Sequence, residues 1–136
     1  MSRKSARDVL YKLIFEFLFS GEANKETYDI MLLDASLTND DRSYIETAYK
    51  GVIYYYDELV AVISKYSKGF SISRIFKPDL AALLLAAYEL TYMPEIPRSA
   101  VISEAVGIVK EYSTEKSYSF VNGVLASIAR ELDSTI

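Results

Sequence analysis

The sequence contains no cysteine and no histidine. Without cysteine there is no disulfide framework, no thiolate nucleophile and no thiolate metal site. Without histidine the commonest general base near neutral pH and the commonest metal ligand are gone. Zinc hydrolases, histidine-dependent serine or cysteine triads and phosphohistidine chemistry are therefore excluded. Proline occurs three times and glycine five times, and no stretch reads as a linker or a repeat. No uninterrupted apolar run reaches the roughly 18 residues that a bilayer span requires. The basic start at Arg3, Lys4 and Arg7 leads into an apolar stretch interrupted by Lys12 and Glu16, with no small-residue cleavage pattern, so no signal peptide is read and the cytoplasm is the expected compartment. Phosphate-binding loops, nucleotide fingerprints and hydrolase elbows are missing as well. The expectation is a non-enzyme with no metal and no cofactor.

What remains is 136 residues, 51% of them hydrophobic, enough for one domain over 1–136 with a proper core. Apolar residues recur at helical spacing, and strand-like alternation is nearly absent. The first helix is predicted from about Ser5 to Phe19, ended by Gly21, and the second over about Lys25–Ala35 with Asn24 as cap. A long third helix is predicted from about Asp40 to Tyr66, capped by Thr38 or Asn39, and then a single helical turn over Ser71–Phe76. Pro78 suits the start of a helix to Tyr92 whose Leu80–Ala87 stretch is apolar nearly all round, marking it as the most buried element. Ser99 and Thr114 are the expected caps of the last two helices, which end near Tyr112 and Leu132. The expected fold class is all-α, a single domain of six or seven helices.

The net charge of −4 disfavours nucleic acid, but the charge is uneven. Residues 1–12 carry a local net of +3, and residues 17–58 a local net of −6. Lys4, Arg7 and Tyr11 fall on one flank of the first helix with Arg3 at its start, a combination of cation and ring suited to single-stranded RNA. A solvated basic N-terminus is the plainer reading, and Arg7 is also a candidate partner for a carboxylate at Glu89 or Glu104, which lie in apolar surroundings. In the last helix Lys116, Ser119, Phe120, Gly123 and Ser127 share one side. A glycine inside a helix costs about 1 kcal/mol relative to alanine, which points to close approach by a helix or a ligand, with helix packing the favoured explanation. Tyr occurs 12 times, and Tyr54-Tyr55-Tyr56 covers so much of a helix circumference that at least one ring must be exposed or at an interface.

The strings "LLLAAYEL" at Leu83–Leu90, "IP" at Ile96-Pro97, "AVISEAVGIVKEY" and "SFVNGVL" resemble, in order and spacing, the C-terminal half of the NusB family of transcription antitermination factors. "SRKSAR" at the start is similar to the family's arginine-rich motif. The resemblance implies a helical fold of two packed halves. It implies binding of boxA-type single-stranded RNA in ribosomal RNA leader transcripts, together with the small-subunit ribosomal protein NusE, within a transcription elongation complex. The free chain is expected as a monomer or homodimer. Carried over by position, the RNA-binding set is Arg3, Lys4, Arg7, Lys116, Ser117, Phe120 and Asn122, to which the flank of the first helix adds Tyr11, and the partner set is Arg74 and Asp79. The chain departs from the family in having Leu84 where arginine is common and Lys116 where an acid or amide is common. A related domain is fused ahead of RNA methyltransferases. With no cofactor-binding region here, that activity is not expected. A protein-only helical adaptor is the alternative.

Overall fold

The computed structural model describes residues 3–134, and among them it contains seven α-helices, one 3-10 turn and no strand. In chain order these are α1 (Lys4–Ser20), α2 (Lys25–Met31), α3 (Asn39–Tyr54), α4 (Tyr56–Tyr66), the 3-10 turn Ile72–Arg74, α5 (Lys77–Tyr92), α6 (Arg98–Tyr112) and α7 (Glu115–Ser134). No helix is long and apolar enough to cross a membrane among the described residues.

Local chemistry sets most boundaries. Gly21, at φ 79°, takes the left-handed stop after α1, a backbone region open to glycine at no steric cost. Asn24 accepts the Thr27 amide at the start of α2. Thr38 and Asp41 form a reciprocal capping box at α3, which satisfies two amides left over at a helix start. The expected long third helix is in fact two. The chain breaks at Tyr55, whose backbone leaves helical geometry (φ −97°, ψ 17°), so the three consecutive tyrosines are distributed over a bend instead of round one cylinder. Ser99 does not cap α6 either, because the helix already begins at Arg98 behind Pro97.

α5 is the wall on which the rest is built. Every residue from Asp79 to Leu90 is buried, and the helix packs against α1, α3, α4, α6 and α7. Each fully buried leucine there contributes about 1.5–3 kcal/mol relative to exposure, and Leu84 is one of them. At Gly51 of α3 an added Cβ would run into the Tyr88 ring of α5. This is the close approach that demands glycine. Gly123, where close packing was expected, has open space around the position of a Cβ.

Candidate nucleic-acid interface

The basic start of α1 is largely spent inside the protein. Arg7 is 8% exposed, and its Nε donates to both carboxylate oxygens of the fully buried Glu89, at 3.3 and 3.2 Å. Its Nη1 lies 4.0 Å from Glu104. The Tyr44 hydroxyl donates to the same Glu89 carboxylate, and burial, with Glu89 alongside, pushes that phenol well above the ordinary tyrosine range. The Arg3 guanidinium sits 4.4 Å from the centre of the Tyr44 ring. Of the two readings the sequence left for Arg7, the structure takes the internal pair, since a buried carboxylate without such a partner would be costly.

Tyr11 is also turned inward. It is 3% exposed, its hydroxyl donates to the Pro78 carbonyl at 3.1 Å, and its ring stacks on Tyr112. Burial, with Asp79, Tyr112 and Asp8 adding to it, pushes its hydroxyl up to about 12. Lys4 remains exposed, but the hollows it borders are also lined by Asp8, Asp34, Glu104 and Glu111. The local positive balance read from residues 1–12 is thus offset by acids brought in from α6 and from the loop after α2.

A different surface holds two cations that no acid among the described residues pairs. The 3-10 turn, the start of α5 and the start of α7 enclose a cleft of about 320 Å³ walled by Phe70, Phe76, Ile75 and Phe120, with Arg74 and Lys116 on its edges. Phe70 and Phe76 are more than half exposed, and Phe70 meets Phe120 edge to face. Neither Arg74 nor Lys116 forms an ion pair among the described residues. The acid at this cleft, Asp79, is buried and accepts from the Ser113 hydroxyl at 2.6 Å, which ties the α6–α7 turn to the start of α5. Ser117 is buried too, and its hydroxyl lies within hydrogen-bond distance of those of Ser113 and Thr114. Exposed aromatic faces between unpaired cations are what a single strand of nucleic acid needs, with rings for bases and cations for phosphates.

The sequence-derived set is thereby divided. Lys116, Phe120 and Arg74 share the cleft, and Ser117 and Asp79 form its floor. Asn122 faces the other flank of α7, in a shallow depression with Lys110 and Ser103 of α6. Arg3 and Lys4 stand at the far end of α1, and Arg7 and Tyr11 are internal. Phe70 and Phe76 were missed. Their signal was two aromatic residues bracketing a short polar segment of low helical periodicity, where no core stripe could absorb them.

Known proteins resemble this chain throughout. A scan against protein families matches residues 1–130 to the NusB family. A transcription antitermination protein NusB from Acetivibrio thermocellus is 38% identical over 130 residues, covering 96% of this chain and 90% of that protein. Its counterpart from Finegoldia magna is 33% identical over 134 residues, covering 98% of each. Among solved structures, T. maritima NusB superposes with a TM-score of 0.89 at 30% identity, covering 96% of this chain and 92% of that one. A crystal structure of the antitermination factors NusB and NusE in complex with double-stranded RNA gives 0.84 at 28% identity, covering 95% and 96%.

Proposed function

The chain belongs to the NusB family, whose named members are transcription antitermination proteins and not enzymes, and on that premise we propose that residues 1–136 form a single RNA-binding domain acting in the cytoplasm. Its ligand is boxA-type single-stranded RNA of ribosomal RNA leader transcripts. Its protein partner is the ribosomal protein NusE, and the assembly holds RNA polymerase in a termination-resistant elongation complex. The observation that carries the reading is the aromatic-walled cleft edged by Arg74 and Lys116, two cations without an acid partner. A solved relative in complex with NusE and double-stranded RNA supports NusE as partner and RNA as the ligand class.

In this reading Lys116 and Phe120 meet the RNA in the cleft, Arg3 and Lys4 contact phosphate from the far end of α1, and Asn122 offers its amide from the other flank of α7. Arg7, Tyr11 and Ser117 act by holding these elements in place. Arg74, with Asp79 beneath it, lies where the resemblance sets the protein partner. Because this set supplies only about three or four cations, and each neutralised phosphate contributes about −0.7 to the salt slope on a single strand, its share of the slope should be about −2 to −3. That is modest, so tight binding should need the basic ribosomal partner to extend the positive track.

The test is a titration of a labelled boxA strand at several salt concentrations, with and without NusE. The expected result is salt-dependent binding that tightens when NusE is added and weakens in Lys116→Ala and Phe120→Ala. Binding of NusE without any RNA binding, alone or together, would leave a protein-only adaptor in its place.

A further inference from the structure

The face of α7 singled out by its pattern does not end at the first cleft. Beyond the Phe70–Phe120 pair a second groove of about 380 Å³ runs along α7, lined by Ser119, Gly123 and Ser127, with Lys68 at one wall and Arg130 at its end. At 100° per residue Lys116, Phe120, Gly123, Ser127 and Arg130 keep to one stripe, and the 14 steps from Lys116 to Arg130 at 1.5 Å rise give it a length of about 21 Å. The groove has no acidic residue in its lining. Lys68 and Arg130 form no ion pair among the described residues, whereas Lys12, Lys25, Lys50, Lys65 and Arg98 are each paired with an acid. Gly69, at φ 81°, turns the chain so that Lys68 and Phe70 border the same groove. A Cβ at Gly123 would meet nothing within 4 Å, so this mid-helix glycine is not required by packing. What it does is leave the groove floor bare.

We infer that this groove is a second single-stranded RNA subsite, continuous with the first cleft, in which Lys68 and Arg130 grip phosphates and the open backbone at Gly123 lets the strand lie close to α7. The inference rests on the RNA-binding reading of the first cleft and extends it toward the C-terminal end of α7. The charge of the lining and its continuity across the shared Phe70 and Phe120 rings select RNA as the occupant. Ser119 and Ser127 offer hydroxyls for sugar or phosphate oxygens.

The experiment compares a short uridine- and adenine-containing strand of about five nucleotides with one of about fourteen, both within the site sizes of single-strand binders. Both are titrated into the full chain, alone and with NusE, at a series of salt concentrations. The double variant Lys68→Ala/Arg130→Ala should weaken the long strand by about tenfold and reduce its salt slope by about 1.4, two contacts at about 0.7 each, while leaving the short strand unchanged. Gly123→Leu should keep or raise the melting temperature, since glycine is the poorer helix former, yet weaken the long strand alone. Unchanged long-strand affinity in both variants overturns the inference and leaves the first cleft standing. Equal loss of both strands overturns it as well, because the groove would then not be a separate subsite. Loss of NusE with RNA binding intact makes the groove a protein contact and also overturns it. Failure of the unaltered chain to bind either strand, with or without NusE, defeats the RNA reading on which it rests.

Discussion

Replacing Arg7 by Met removes the cation from a carboxylate that is wholly out of solvent. Glu89 has 0% exposure and receives the Arg7 Nε and the Tyr44 hydroxyl. Deleting one partner of a buried pair costs about 3–5 kcal/mol, mainly because the other charge is left uncompensated. For a chain of this length about 1 kcal/mol corresponds to about 3–5 °C, so the melting temperature should fall by about 10–20 °C. Circular dichroism melts of Arg7→Met, Glu89→Gln and the double variant form the assay. The double variant should recover at least about 1 kcal/mol of the summed single losses, the sign of direct coupling. In parallel, the salt slope of RNA binding by the folded fraction of Arg7→Met should match that of the unaltered chain. An unchanged melting temperature together with a slope lowered by about 0.7, the loss of one phosphate contact, would refute the assignment of Arg7 to the interior and return it to the RNA.

Two further outcomes follow from the packing. Gly51→Ala should lower the urea midpoint by the equivalent of about 1–3 kcal/mol, because the new methyl is driven into the Tyr88 ring inside a close-packed core. Tyr11 carries its proton to about 12 when folded against an ordinary value of 10.0, so its contribution to stability is complete below about pH 10 and is lost as pH rises toward about 12. Denaturant titrations across that window should show stability falling with pH, and Tyr11→Phe should flatten the fall. An identical pH profile in the variant would sink the claim.

The helices were legible because each buries one stripe, and a stripe leaves a period in the sequence. α5 was legible for the opposite reason, since burial on all sides leaves no polar face in the Leu80–Ala87 run. The break at Tyr55 left no such trace. Neither proline nor glycine stands at the break, periodicity runs on through it, and beyond it α4 packs onto α5. The basic strip shows the same limit in electrostatics. Arg7 is next to Asp8 in sequence and Lys4 four residues before it, but Glu89, Glu104 and Glu111 reach them only through folding, so counting charge over residues 1–12 overstated the field that the folded protein presents. Lys116 and Phe120 were marked by family likeness and by their shared helix face. Lys68 and Arg130 lie 62 residues apart in sequence, and only the packing of α4 against α7 brings them to one groove.

The placement of α5 also orders events during synthesis. α1 and α3 pack on each other, and both also pack on α5, which follows them in the chain. At about 5–20 residues per second, the stretch from the end of α4 at Tyr66 to the end of α5 at Tyr92 takes roughly one to five seconds to emerge. For that interval α1 and α3 can cover each other but the faces that meet α5 stay uncovered, and the internal Arg7 lacks Glu89. The nascent chain is therefore at its most vulnerable to proteases and holdases in the window before α5 clears the exit. A slowdown that stalls synthesis before α5 has cleared the exit would lengthen that window, whereas one after α5 has emerged would leave the N-terminal half already seated.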